Sequence, residues 1–148
     1  MSELVKKCKE LATLYHGGQM RLRGDDTGKP YIIHPSRIAS KFDDEILKSI
    51  AWLHDVLEDT LVTMDILKSK DIPPQVLFGI KCLTRGKDET YFDFIMRIKN
   101  NDLARPVKIA DIEDNMMGLS EGSLKDKYRF ALYILKNKDQ MWKYVMVL

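Results

Sequence analysis

Residues 51–60 read Ala-Trp-Leu-His-Asp-Val-Leu-Glu-Asp-Thr, a mostly apolar stretch with helical spacing that carries two metal-binding side chains in adjacent positions, His54 and Asp55. A neutral imidazole and a carboxylate together suit a divalent transition metal. The spacing predicts that Glu58 follows His54 by one helical turn. Asp59 follows Asp55 in the same way. We therefore expect one continuous helix with a broad polar face on otherwise apolar surroundings.

Two further segments carry side chains of the same kinds. His34 stands in Tyr-Ile-Ile-His-Pro at residues 31–35, and Asp111 ends Lys-Ile-Ala-Asp at residues 108–111. Four acids would repel one another if they shared an apolar neighbourhood without compensation, and a bound dication would resolve that conflict. These acids are Asp55, Glu58, Asp59 and Asp111.

Each of these residues also has a simple structural explanation. A histidine before a proline is more often a loop or core residue than a ligand. His54 and Asp55 could form a hydrogen-bonded surface corner, and Glu58 and Asp59 could end a helix, although acids there oppose the helix dipole. Asp111 could be a solvated position. The joint occurrence of all three segments favours a metal site.

The three segments together resemble the HD phosphohydrolases. Within that group they resemble the RelA/SpoT-type hydrolase domains and the stand-alone small alarmone hydrolases. These proteins carry Tyr-Ile-x-His-Pro, His-Asp-x-x-Glu-Asp and Lys-Leu-Ala-Asp-x-x-x-Asn. The corresponding segments of this chain are residues 31–35, 54–59 and 108–115, and the resemblance runs from Gly17 to Leu135. Three motifs in the right order are a far more specific signal than a bare His-Asp pair.

The resemblance implies a site and an activity. One divalent metal ion, manganese, would be held by His34, His54, Asp55 and Asp111. Glu58 and Asp59 would be the catalytic acids, which orient or deprotonate the attacking water or protonate the leaving oxygen. The substrate-binding residues would be Arg23, Asn115 and Tyr128. The implied reaction removes the 3′-diphosphate from guanosine 3′,5′-bis(diphosphate) or the pentaphosphate. We expect no synthetase activity, because a second domain would have to follow Leu148.

The chain departs from the family pattern at three positions. Ile112 stands where a basic residue is usual, Asp114 where a His or Tyr is common, and Met117 where an Arg often follows. These changes remove positive charge from a site that would bind a diphosphate. We therefore expect alarmone hydrolysis only if at least two of four cations face the pocket, namely Arg23, Lys29, Lys108 and Arg129.

Two other functions stay open at this point. One is an HD-type phosphohydrolase acting on another nucleotide or phosphoester, which the acidic departures favour. The other is a non-catalytic, nucleotide-binding regulatory module. The intact Glu58-Asp59 step argues against that second alternative.

Composition sets outer bounds on partners and location. The chain has 148 residues and a net charge of +2, with scattered basic residues, so we expect no nucleic-acid partner. Cys8 and Cys82 are isolated, as in reduced cytosolic proteins. No apolar run is long enough to predict a membrane partner. We expect a soluble, cytoplasmic protein whose partner is a nucleotide; the oligomeric state, including a homodimer, is open.

Periodicity predicts an all-α fold in which residues 1–148 form a single HD domain of about six to nine helices. We expect Ser2, Asp43 or Asp44, and Thr63 to cap helices. Another helix should begin at Pro73-Pro74, and Pro106 should lie in the first turn of the helix that carries Asp111. The last predicted helices cover residues 123–135 and 141–148. His16, near the predicted end of the first helix, is given no place in the site.

Overall fold

The computed structural model describes residues 1–137, and these residues are helical almost throughout. The helices in this range are α1 (Glu3–Tyr15), α2 (Ile33–Ser40), α3 (Glu45–Leu53), α4 (Val56–Asp59), α5 (Met64–Lys68), α6 (Pro74–Leu83), α7 (Tyr91–Lys99), α8 (Ala104–Met116) and α9 (Ser123–Lys136). The only β pairing within residues 1–137 is an isolated bridge between Met20 and Pro30. The all-α prediction is therefore confirmed. The predicted helix over residues 141–148 lies outside the described residues.

Three predicted helix starts are confirmed by their caps. The side chains of Ser2, Asp44 and Thr63 each accept a hydrogen bond from the backbone amide three residues further on, at 3.3, 2.9 and 3.3 Å. These bonds satisfy amides that have no partner inside the helix. Pro74 begins α6 as predicted. Among residues 1–137, no helix is both long and apolar enough to span a bilayer.

The core forms around α3, which packs against α1, α2, α6 and α8. Its residues Ile50, Ala51 and Leu53 are fully buried. Gly79 of α6 lies so close to Ile50 that an added Cβ would overlap the isoleucine side chain. Helix α8 also packs against α2 and α9. The segments that carry the predicted ligands are therefore tied to the same central packing.

The predicted continuous helix through His54 and Asp55 is wrong. Helix α3 ends at Leu53, α4 begins at Val56, and the two residues between them lie in a turn. The His54 ring explains the break, since its Nδ1 bonds the Ala51 carbonyl at 2.7 Å. In a continuous helix that carbonyl would accept from the amide of Asp55, four residues further on. Side-chain bonding thus replaces a helical hydrogen bond at this point.

The segment between α1 and α2 is an ordered loop that folds back on itself. The Arg21 amide donates to the Lys29 carbonyl and the Gly28 amide to the Arg21 carbonyl, both at 2.8 Å. A 3₁₀ turn covers Gly24–Asp26. The Asp25 amide donates to the Met117 carbonyl at 3.3 Å, which docks the loop on the end of α8.

Candidate metal centre and adjoining cavity

The four predicted ligands lie together in the structure. One nitrogen or oxygen of each side chain falls within 4.8 Å of the corresponding atoms of the others. We call these four side chains the His–Asp cluster. Helix α2 supplies His34, the turn between α3 and α4 supplies His54 and Asp55, and α8 supplies Asp111. Both histidines and Asp111 are buried, and Asp55 is half-buried.

Both imidazole rings direct Nε2 toward the acids. The Nδ1 atom of His54 must donate to the Ala51 carbonyl, because a carbonyl only accepts. The Nδ1 atom of His34 lies 2.6 Å from Asp114 Oδ2. Neither Nε2 forms a hydrogen bond within residues 1–137, although both are buried. A neutral ring held in this way presents its Nε2 lone pair, which is the arrangement that metal-ligating histidines adopt.

The two carboxylates close the cluster. Asp55 Oδ2 lies 2.9 Å from His54 Nε2 and 3.5 Å from His34 Nε2. Asp111 Oδ1 lies 3.1 Å from His34 Nε2. Two imidazole nitrogens without hydrogen bonds and two carboxylates form a donor set that fits a divalent transition metal.

Neighbouring basic side chains offset part of the expected repulsion among the buried acids. Lys108 Nζ lies 2.8 Å from Asp111 Oδ2. Burial alone would raise the pKa of Asp111, but the charge of Lys108 and the close contacts with the two histidine rings hold that pKa well below its usual range. Burial opposes protonation of His34, yet contacts with the nearby carboxylates raise its pKa to about 9. Lys108 and the contacts with the two rings therefore offset part of the repulsion among the acids.

The two predicted catalytic acids lie on α4, beside the cluster. Glu58 Oε1 accepts from the Arg85 amide at 2.5 Å. Tyr31 Oη lies 3.0 Å from Asp59 Oδ2 and 2.5 Å from Asp55 Oδ2, so it joins an acid to the cluster. Partial desolvation raises the pKa of Glu58. Partial desolvation and the charge of Asp55 raise that of Asp59. Such acids hold a proton closer to neutral pH than ordinary carboxylates do.

A cavity of about 500 Å³ adjoins the His–Asp cluster. The three predicted substrate-binding residues Arg23, Asn115 and Tyr128 line it together with Tyr31 and Asp59.

Asn115 connects this cavity to the cluster. Its Nδ2 donates to Asp111 Oδ1 and its Oδ1 accepts from Arg21, each at 2.8 Å. Arg21 also lines the cavity and stacks over Tyr31, with 5.5 Å between the guanidinium carbon and the ring centroid. The sequence reasoning missed Arg21, although it lies only two residues before Arg23.

Of the four cations singled out by sequence, Arg23 lines the cavity and Lys108 bonds the His–Asp cluster. The other two are paired elsewhere. Lys29 lies 3.0 Å from Asp26, and Arg129 bonds Glu121 at 2.8 and 2.9 Å.

Other cations join Arg23 near the site. Lys127 lies 3.9 Å from the centroid of the Tyr91 ring, and Arg85 lies over the same ring at 5.9 Å. Burial lowers the pKa of Lys127, and so do the neighbouring charges of Arg85, Lys108 and Arg23. Within residues 1–137, Arg23 and Lys127 form no salt bridge, whereas Arg85 lies close enough to Glu89 to help lower the pKa of that carboxyl. The sequence reasoning missed both Arg85 and Lys127.

None of the three departures from the family pattern lines the cavity. Ile112 is fully buried in the core. Asp114 is buried against His34 Nδ1, the ring atom that faces away from the cluster. Met117 caps α8 and gives its carbonyl to the Asp25 amide. The expected loss of positive charge therefore does not fall on the cavity.

His16 contacts the site, although the sequence reasoning left it out. Its ring is buried and stacks on that of Tyr31 with 4.7 Å between centroids. Its Nδ1 lies 2.8 Å from Gln19 Oε1, and Gln19 Nε2 donates to the Asp59 carbonyl at 2.6 Å. The contacts of His16 with Gln19 and Tyr31 form because the loop after α1 folds back against the end of that helix.

Comparisons with known proteins identify two similar sequences and one similar structure. No family model matches the chain. It is 39% identical, in an alignment that covers 80% of its length, to a guanosine-3′,5′-bis(diphosphate) 3′-pyrophosphohydrolase of Aquifex aeolicus. It is 37% identical over 88 residues, 57% of its length, to the protein of that name from Borreliella burgdorferi. The chain spans only 18% and 12% of these two relatives.

A solved structure shares the fold. It is that of a metazoan ortholog of SpoT that hydrolyses ppGpp and plays a role in starvation responses. The TM-score is 0.71 at 20% identity, covering 93% of this chain and 86% of the other. The three motifs and the sequence similarity to two pyrophosphohydrolases make this chain similar to the HD-type RelA/SpoT hydrolase domains, and the shared fold is consistent with that similarity.

Proposed function

We propose that this protein is a metal-dependent hydrolase that removes the 3′-diphosphate of guanosine 3′,5′-bis(diphosphate), giving GDP and pyrophosphate. The observation that carries the proposal is that the His–Asp cluster adjoins a cavity lined by Arg21 and Arg23, linked to it through Tyr31 and Asn115. A volume of about 500 Å³ lies in the usual range for small-molecule sites. The names of the two relatives point to the same reaction.

The metal is part of the proposal. We infer that one divalent ion, manganese, is held by His34, His54, Asp55 and Asp111. When bound, such an ion lowers the pKa of water and polarises a phosphoryl oxygen. The protein contributes a preset geometry, because both Nδ1 atoms are already engaged and both Nε2 atoms are left for the ion.

In this proposal, Glu58 and Asp59 carry out the two proton transfers of the reaction. The Arg85 amide holds Glu58 by Oε1, so that Oε2 is the oxygen that takes a proton from the attacking water. Asp59, with its raised pKa, delivers a proton to the ribose 3′-oxygen as pyrophosphate leaves. One water is consumed, and the nucleotide regains a 3′-hydroxyl. Separate acids for the two transfers are a common division of labour in hydrolases.

The surrounding side chains fit a highly charged nucleotide. Tyr128 and Leu124 offer apolar surface for a base, and Asn115 offers hydrogen bonds for ribose. A diphosphate carries more negative charge than one dication neutralises. Arg23 and Lys127 supply positive charge that no salt bridge among residues 1–137 already neutralises, and Arg85 adds a third cation close to Lys127. We further infer that residues 1–148 form one HD domain of a cytoplasmic enzyme, with no nucleic-acid or membrane partner.

Arg23→Ala is expected to raise KM for guanosine 3′,5′-bis(diphosphate) by roughly 10- to 100-fold, the value of a hydrogen bond to a charged group. The metal affinity should not change, because Arg23 lies in the cavity wall and not in the cluster. Arg129→Ala is the matched control, since that guanidinium is exposed and paired with Glu121. Equal KM values for the two variants would remove Arg23 from the substrate site.

The proposed function is tested with manganese-loaded protein and a nucleotide panel. We expect pyrophosphate to be released as a unit from guanosine 3′,5′-bis(diphosphate), with GDP as the second product. Orthophosphate from nucleoside monophosphates, with no pyrophosphate under the same conditions, would instead identify a phosphohydrolase of the same fold acting on another nucleotide.

A further inference from the structure

Asp114 is a buried acid that lies outside the proposed ligand set. Its side chain is 1% exposed, and its Oδ2 lies 2.6 Å from His34 Nδ1. It follows Asp111 by three residues on α8, so the two acids meet opposite nitrogens of the same ring: Asp111 lies 3.1 Å from Nε2. The ring of His34 therefore meets carboxylates of the His–Asp cluster at Nε2 and a carboxylate from outside the cluster at Nδ1.

Arg37 holds Asp114 in place. On α2 it lies one turn after His34, and its Nε and Nη2 donate to the two oxygens of Asp114 at 2.6 and 3.0 Å. Both oxygens of Asp114 are therefore anchored by the guanidinium, while Oδ2 also contacts His34 Nδ1.

Arg37 also reaches the loop that lines the cavity. Its Nη2 donates to Asp26, which is buried in the Gly24–Asp26 turn just after Arg23. The backbone of this turn also packs closely against the end of α8, which helps to keep Asp26 within reach of Arg37. Gly24 has a φ of 72°, and an added Cβ would overlap the Met117 carbonyl. Asp26, Arg37, Asp114 and His34 thus form one continuous chain of ionic contacts.

We propose that Asp114 and Arg37 are positioning residues that fix His34 as a metal ligand. They also hold the loop between α1 and α2, which carries Arg23, in a fixed position relative to His34. The inference rests on the proposed metal-dependent function. A charged acceptor on Nδ1 keeps the proton there, so the neutral ring offers Nε2 to the ion and is a more basic ligand. Arg37 makes the acceptor immobile and ties it to Asp26.

The test measures Mn²⁺ binding to the full chain, so it does not depend on which substrate is turned over. Asp114→Asn keeps the shape of the side chain and removes its charge, and we expect the Kd for Mn²⁺ to rise by about 10- to 100-fold. Glu113→Gln is the matched control. Glu113 is the neighbouring acid on α8 and pairs with Lys41 and Lys136, away from His34. Its Mn²⁺ affinity should equal that of the unchanged protein.

Two Arg37 variants separate positioning from general stability. Arg37→Leu should weaken Mn²⁺ binding although it touches no ligand, and Arg37→Lys should recover part of the loss because it restores a cation beside Asp114. These two variants carry the test if Asp114→Asn does not fold. Melting temperatures of the metal-free proteins are measured in parallel.

Lower melting temperatures with unchanged Mn²⁺ affinity in Asp114→Asn or Arg37→Leu would overturn the positioning role alone. If the protein without any substitution binds no Mn²⁺, both this inference and the proposed function are overturned. Tight Mn²⁺ binding that depends on Asp114, without hydrolysis of guanosine 3′,5′-bis(diphosphate), would support the positioning role and overturn only the substrate.

Discussion

Asp55→Ala is expected to abolish retention of the divalent ion. The Asp55 carboxylate lies 2.9 Å from His54 Nε2 and 3.5 Å from His34 Nε2, so its loss opens the side of the His–Asp cluster where both ring nitrogens converge. Elemental analysis of the purified protein, with a Kd for Mn²⁺, measures the effect. Full metal occupancy in the variant would contradict the ligand assignment.

The same substitution should also lower the melting temperature of the metal-free protein at neutral pH. Burial opposes the charge of Asp55, yet the nearby histidines lower its pKa, so its surroundings favour the ionised form overall. A group with a lowered pKa stabilises the fold above its unfolded pKa and loses that contribution as the pH falls through the folded value. Asp43→Ala, at an exposed position, is the control and should change neither property.

Glu58→Gln is expected to reduce the turnover rate by about two to four orders of magnitude while the metal stays bound. The amide can still accept from the Arg85 backbone, so the side chain should keep its place. It can no longer take a proton from water. The measurement is kcat for pyrophosphate release together with metal content.

Glu10→Gln, on the exposed face of α1, should leave the turnover rate and metal content unchanged. Turnover at the normal rate in Glu58→Gln would mean that Glu58 is structural and would transfer the proton-accepting role to another group. Loss of the metal together with the activity would instead place Glu58 among the ligands.

Much of the fold can be predicted from local sequence. Ser2, Asp44 and Thr63 cap helices because a short polar side chain can reach an amide three residues ahead, and that reach is visible in the sequence. The family resemblance of the three motifs also predicts that the three ligand segments meet at one site. Two of the four candidate cations, Lys29 and Arg129, pair outside the cavity for a reason that spacing could have revealed. Lys29 and Arg129 each have an acid three residues before them, with which they pair.

Long-range partners could not be predicted in this way. Asp114 looked like an unfavourable charge in the substrate site, because nothing local shows that it meets His34, 80 residues away in the chain. The break between α3 and α4 depends on a ring that bonds a carbonyl of its own helix, while helix-forming residues lie on both sides. Arg85 and Lys127 come near Arg23 only through the packing of helices far apart in sequence.

The separation of α4 from α3 has a consequence for how such a protein can diversify. The position of the His–Asp cluster is set by the packing of the core helices. The position of Glu58 is set by a hydrogen bond from the backbone of residue 85, in the connection between α6 and α7. Under the proposed function, changes of length or sequence in that connection would move Glu58 relative to the ion without altering any of the four proposed ligands. Turnover could then diverge between related proteins through one short connecting segment, while the His–Asp cluster stays the same.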